Sequence, residues 1–415
     1  MVRIIEQSPF YMSANLTPVE DALVHLRAQA VSVPPIEQVP LVDALGRVLA
    51  CDVDAGLAVP AFDNSAMDGY AVRCADCKNV GSSLPVAQTV AAGHAGSDLA
   101  AGTAARIFTG APVPAGADAV VMQENARREG GSVVILQVPR SGENIRRAGH
   151  DIAGGSRVLS RGHRLAPQDL GLLGSLGKAR VDVYRPLSVA LLNTGDEVVP
   201  QGQSLRPGQL YDSNSHTLAG LLTQLGMRVV RMGIVADDRQ STVDILQKAA
   251  EQADCVITTG GVSVGDADHV KAAVETLGNL SLWRLAIKPG KPFSFGRIGQ
   301  VPFFGLPGNP VAVFITFVIL VQPFLLKLQG AAADSTVRLK ARADFAIAEA
   351  GTRQEYLRVR LQSGEDGFPV LQLFKDQSSS VLTSLSWADG LAVVPVGTTV
   401  SRGDWIDYLP FKGVV

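Results

Sequence analysis

Cysteine is scarce in this 415-residue chain, and the four present, Cys51, Cys74, Cys77 and Cys255, are too scattered to form a disulfide framework. Cys74-Ala-Asp-Cys77 has CxxC spacing, but no second pair or HxxxH completes a zinc site, so these two read as incidental thiols in a surface turn. The six histidines, His25, His94, His150, His163, His216 and His269, never fall at metal-ligand spacing, which argues against histidine metal chemistry. Net charge is also missing. A formal −2 gives no global basic field for nucleic acid or an anionic membrane surface, so any bound anion must be met by local groups. No GxSxG elbow or GxxxxGK[ST] loop occurs, against a serine hydrolase or a P-loop nucleotidase. No charged leader precedes a long apolar run, so a cytoplasmic protein is expected. The most apolar run, Val311 to Val321, is 11 residues long where a bilayer takes about 20, and reads as a buried helix.

What is present is a globular balance, with 47% hydrophobic and 18% charged residues. The length suggests about two to four domains. Leu16 to Gln29 predicts an opening helix, with Thr17 as N-cap, Pro18 at the first helical position and Glu20 at N3. From about Asp52 to Arg147, short apolar segments between glycine- and proline-rich turns predict a β-rich domain. A second helical patch, Pro167 to Gly177, is expected to pack back on the opening helix, which makes the β-rich part an insertion. From Leu187, strands and helices alternate as in a parallel α/β sheet, whose ligands lie at the carboxyl ends of strands. Short β segments after Gly330 predict a small closing barrel or sandwich. The expected domains are 1–52 with 148–183, 53–147, 184–329 and 330–415.

Two strand ends carry polar, glycine-rich turns: Asn193-Thr194-Gly195-Asp196-Glu197 and Thr258-Thr259-Gly260-Gly261-Val262-Ser263. In a parallel sheet both open on one rim, where glycine admits a ligand close to backbone N–H groups. Such turns often merely reverse the chain. Two on one rim, with Asp196, Glu197, Asp266 and Asp268, point instead to a cradle for phosphate or a pterin edge and to a divalent cation. Farther on, Lys288-Pro289-Gly290-Lys291-Pro292 sets two lysines on a proline-stiffened loop. Pro307-Gly308-Asn309-Pro310 reads on its own only as good capping for the apolar helix. In the β-rich part, Phe62 to Tyr70, Thr109 to Pro112 and Asn144 to Arg147 are polar clusters that suit a site wall or intersubunit contact, or simply turns.

Taken in order, FDNSAMDGYAV, RIFTGAPVPAGADAVVMQE, NIRRAGHDI, NTGDEV, YDSNS, TTGGVSVGDAD, AIKPGKPFSFG and GLPGNPV resemble the molybdopterin molybdenumtransferase family, from about residue 15 to the C-terminus. The resemblance implies a multidomain α/β fold: an elongated two-segment scaffold, an inserted β-rich domain, a molybdopterin-binding α/β domain and a C-terminal β-barrel. It also implies a homodimer with its site between subunits, in which molybdate and adenylylated molybdopterin react with Mg²⁺ to give molybdenum cofactor and AMP. By motif, Asp63 and Thr109 would line the cleft from the partner subunit, and Asp151 and Glu197 would face it. Asp238, Asp266 and Asp268 would serve metal or phosphate, and Lys288 and Lys291 the anionic substrates. Thr194, Gly195, Thr259, Gly260, Gly261, Ser263, Pro307, Gly308 and Asn309 would bind substrate. So would Ser379, which is serine where the family often has glycine. Transfer partners would lie among molybdoenzymes and the adenylyltransferase. Two other readings are a molybdopterin adenylyltransferase, which consumes ATP, and a non-catalytic dimeric scaffold.

Overall fold

The computed structural model describes residues 16–31, 33–235, 238–260, 269–332 and 337–411, and all structural statements concern these. The opening helix spans Val19–Gln29, with Pro18 rather than Thr17 at its cap. Thr17 is drawn into another role: its N–H donates to Arg284 O at 2.8 Å and its carbonyl accepts from Ala286 N at 2.7 Å. Val19, Ala22 and Leu26 bury against Leu187, Leu285, Phe324 and Leu328, in the core of the α/β domain. The expected packing on the second helical patch does not occur. That helix, Pro167–Ser175, puts Leu173 against Ala44, Leu49, Leu165, Val181 and Val183. The reason is apolar area: the opening stripe meets a much larger apolar surface on the α/β domain.

The scaffold is instead tied together by strands. Ile36–Pro40 pairs antiparallel with Arg180–Tyr184, and Val53–Asp54 with Arg157–Leu159. Between these ties lies a six-stranded sheet ordered Ala119–Met122, Gly69–Val72, Ala104–Ile107, Ser83–Val90, Ser132–Ile135, Ala126–Glu129. Cys77 is fully buried in its core beside Val72 and Leu84, not in a surface turn, and burial pushes its thiol up to about 11. Cys74 is half-buried.

The α/β domain holds a six-stranded sheet ordered Arg228–Val235, Ser188–Thr194, Cys255–Thr259, Val301–Leu306, Pro292–Ile298, Gly278–Arg284. The first four strands are parallel and the last two antiparallel, so the sheet is mixed where a parallel one was expected. Helices Arg239–Gln252 and His269–Leu277 cover one face, and Asn214–Gln224 the other. The apolar helix also lies on that second face. It runs from Pro310 to Leu328 through a π turn at Phe317–Val321. Pro323 follows that turn, and a proline lacks the N–H that a regular turn would use, so a wider turn upstream accommodates it. By composition this helix is apolar enough to cross a membrane, yet 83% of its apolar window is buried inside the protein. Phe304 packs on Phe295 and Phe324 with ring centroids 5.1 and 5.0 Å apart.

The last unit is a closed barrel. Gln354–Ser363 pairs with Pro369–Leu373, then Leu339–Ala343, Trp405–Pro410 and Gly390–Val394 follow, and the last returns to Gln354–Ser363. One short strand, Ile287–Lys288, leaves the α/β domain to pair in parallel with the barrel, Lys288 standing opposite Glu355.

Candidate functional site

That pairing forms one wall of a cavity of about 400 Å³ between the α/β domain and the barrel. Lys288 and Lys291 enter it from the proline-stiffened loop, Pro307, Gly308 and Asn309 from the start of the apolar helix, and Arg353, Ser378 and Ser379 from the barrel. The loop sits close because Gly290 has no side chain: at φ +115°, a Cβ there would lie 2.5 Å from Thr316 Cγ2. Proline stiffening is only part of what holds Lys288, whose Nζ donates to Glu355 Oε1 at 3.0 Å. Asn309 makes no side-chain cap; its Nδ2 donates to Ser379 Oγ at 3.0 Å.

Beneath the serine turn lies Arg358, 1% exposed. Its Nε donates to Ser384 Oγ at 3.1 Å and its Nη2 to Ser378 O at 3.0 Å, while Gln377 accepts from Arg358 N–H at 2.9 Å. Burial pushes the guanidinium down to about 10. Sequence reasoning missed Arg353, Glu355, Arg358 and Ser378. The available signal was a lone arginine inside the apolar run Tyr356 to Val359, where a buried charge is rarely incidental.

The strand-end rim adjoins this cavity. Asn214 Nδ2 donates to Gly308 O at 2.8 Å and approaches Thr259 Oγ1 at 3.5 Å, which ties rim to loop. Thr259 Oγ1 donates to Asn193 Oδ1 at 2.5 Å. Gly260 takes φ +81°, and a Cβ there would lie 2.8 Å from Thr194 O. At Gly195, φ +131°, the same position is 2.6 Å from a carboxylate oxygen of Glu197. The buried hydroxyls of Thr194 and Thr258 have no hydrogen-bond partner among the described residues. Asp196 and Glu197 are exposed. Asp238 caps helix Arg239–Gln252, accepting from Ser241 N–H at 2.9 Å, and Ser241, through its side chain first and then this N–H, holds the carboxyl below the usual range. Gly261, Ser263, Asp266 and Asp268 lie outside the described residues. Among the described residues, no three His, Cys, Asp or Glu side chains gather to hold a metal ion.

The inserted domain carries a separate cluster. Asp63 accepts from Ala148 N–H at 2.8 Å and from Arg147 Nη1 at 2.5 Å, and the first of these does most to hold its carboxyl below the usual range. Thr109 donates both its N–H and its hydroxyl to Asp68 Oδ1 at 2.8 Å. Asp151 is exposed, its N–H bonded to Val59 O. Phe62, Met67 and Phe108 are exposed around this cluster, and Arg106 lies 5.1 and 4.9 Å from the ring centroids of Tyr70 and Phe108. No hydrogen bond or ion pair between described residues joins Asp63, Thr109 or Asp151 to the lysine cavity.

Fold and site together define a multidomain α/β protein whose sheet and barrel enclose a cationic pocket. Family models match it in order: "MoeA N-terminal region (domain I and II)" at residues 17–177, "Probable molybdopterin binding domain" at 190–327, and "MoeA C-terminal region (domain IV)" at 340–411. The chain is 44% identical over 295 residues to the molybdopterin molybdenumtransferase of Haemophilus influenzae, covering 71% of this chain and 73% of that one. It is 39% identical over 378 residues to that of a Nostoc species, covering 88% and 87%. A crystal structure of the molybdopterin biosynthesis moeA protein of Pyrococcus horikoshii superposes with TM-score 0.83 at 30% identity, covering 96% of this chain and 100% of that one. The chain belongs to the molybdopterin molybdenumtransferase family.

Proposed function

We propose that this protein is a transferase of molybdenum cofactor biosynthesis that inserts molybdate into adenylylated molybdopterin and releases AMP. The observation that carries the reading is the convergence of Lys288, Lys291 and Arg353 on one cavity with the hydroxyls of Ser378 and Ser379. Molybdate and a phosphoanhydride are both anionic, and their approach is costly unless fixed cations offset the repulsion. A pair of unit charges about 4 Å apart is worth roughly 1 kcal/mol in bulk water and roughly 4 at an effective dielectric near 20, so a partly enclosed cavity makes these cations count. The serine hydroxyls and the Gly308 backbone supply uncharged contacts to oxyanion oxygens. The neighbouring rim, where the buried hydroxyl of Thr194 has no partner among the described residues and the turns at Gly195 and Gly260 are close, suits the pterin-phosphate part of the second substrate.

The reading includes Mg²⁺ as the counter-ion of the anhydride. The described carboxylates at the strand ends, Asp196 and Glu197, do not make up a metal site by themselves, and the chain's own cations and hydroxyls hold the anions. The reading also includes a homodimer, in which the cluster of Asp63, Thr109 and Asp151 on one protomer faces the cavity of its partner. Its exposed Phe62, Met67 and Phe108 suit such a contact.

Reconstitution tests this. Purified protein with adenylylated molybdopterin, Mg²⁺ and molybdate should release AMP and form cofactor, without consuming ATP. Lys288→Ala and Lys291→Ala should fold normally and lose molybdate-dependent AMP release. Normal turnover in both variants would remove the lysines from the mechanism.

A further inference from the structure

The cavity holds one ion pair that the reaction does not ask for. Glu355 is absent from the cavity lining, its side chain only 15% exposed, yet its carboxylate bonds Lys288 Nζ at 3.0 Å from behind. Backbone geometry brings the two residues together. Ile287–Lys288 pairs in parallel with Gln354–Glu355, so Lys288 and Glu355 stand in register. Gln354 N–H also bonds Ala286 O at 2.8 Å, and a Cβ on Gly351 would come within 3.1 Å of Glu355 Oε1. The carboxylate is therefore packed against backbone on one side and lysine on the other. No ion pair among described residues engages Lys291 or Arg353. Behind the serine turn, Arg358 and Asp376 bring opposite charges that offset one another.

Among the described residues, three cationic side chains set against one carboxylate leave the cavity with two positive charges. We propose that Glu355 is a positioning and charge-limiting residue: it fixes the Lys288 ammonium at the cavity wall and trims the site to the charge of a tetrahedral oxyanion dianion, so that the anion is held and still released. This rests on the oxyanion reading of the cavity. Its physical basis is that a third uncompensated cation would bind any dianion more tightly, and a cofactor-loading site that grips its oxyanion too hard keeps it.

Calorimetric titration of the full-length protein with molybdate, and with perrhenate as a monoanion of the same shape, tests the proposal. Glu355→Gln should bind molybdate about three- to tenfold more tightly and with a steeper dependence on salt. The gain should be larger for molybdate than for perrhenate, because Coulomb energy scales with ligand charge. Glu355→Asp, which keeps the charge, should stay close to the parent protein. Glu355→Ala serves as the neutral variant if the glutamine form does not accumulate folded. Unchanged or weaker molybdate binding in a folded neutral variant, or an equal gain for both anions, overturns the proposal. If instead the parent protein binds no molybdate, or Lys291→Ala binds it equally well, the reading of the cavity itself fails.

Discussion

The carboxamide of Asn309 and the hydroxyl of Ser379 meet at 3.0 Å, fastening the start of the apolar helix to a turn of the barrel. A second bond, Val311 N–H to Ser379 O at 3.1 Å, runs alongside through the backbone. Ser379→Ala deletes only the first. Since Asn309 is exposed, stability should fall by less than about 1 kcal/mol. Molybdate affinity should weaken severalfold, because the turn loses a hydroxyl and a tether together. Urea unfolding and calorimetry on the same sample separate the two effects.

Gly260→Ala should damage the strand-end rim. The residue sits at φ +81°, and its new Cβ would meet Thr194 O at 2.8 Å, so backbone strain of about 1–3 kcal/mol adds to a contact that must shift. The melting temperature should drop, and binding of molybdopterin should weaken more than binding of molybdate. Equal losses for both ligands would mean that the rim and the lysine cavity are one subsite.

Arg358→Ala should be among the most destabilising single changes in the barrel, costing about 3–5 kcal/mol, because Ser378 O and Ser384 Oγ lose their donor and a cavity opens in the core. Arg358→Lys cannot bridge both acceptors and should recover only part of the loss. Chemical denaturation of both variants against the parent protein measures this.

Asp63 makes a pH-dependent contribution. Its folded carboxyl is held below the ordinary value by the Ala148 N–H and by Arg147, so the stabilisation is present above the unfolded carboxylate range and is lost as pH falls through the depressed folded value. Asp63→Asn should therefore melt earlier than the parent protein at pH 6, with the gap closing toward pH 3. A gap that stays constant over that range would show that charge has no part in it.

The alternation from Ser188 to Leu277 was legible because each strand and helix writes its own period locally. The closing unit was legible as a barrel or sandwich from its short strands, and as a barrel from the resemblance, but which strands close it and the antiparallel edge of the α/β sheet were not, since both depend on which distant strands meet. The same division runs through the site. Lys288 and Lys291 stood out beside their prolines, but Glu355 lies 67 residues from Lys288 in another domain, and nothing near it in sequence marks the pairing. Arg358 read as one more letter of a strand, because its meaning depends on the turn at Asp376 to Ser378. Thr17 missed its predicted cap for a like reason: an interdomain bridge competed for its backbone.

The two-residue splice of Ile287–Lys288 into the barrel behaves like a toothed coupling. Sliding it by a single step would swap the partner opposite Lys288 and turn the neighbouring side chains to the other side of the sheet. Insertions or deletions in either flanking loop are consequently filtered by whether they keep the teeth aligned, which leaves this seam intolerant of length change.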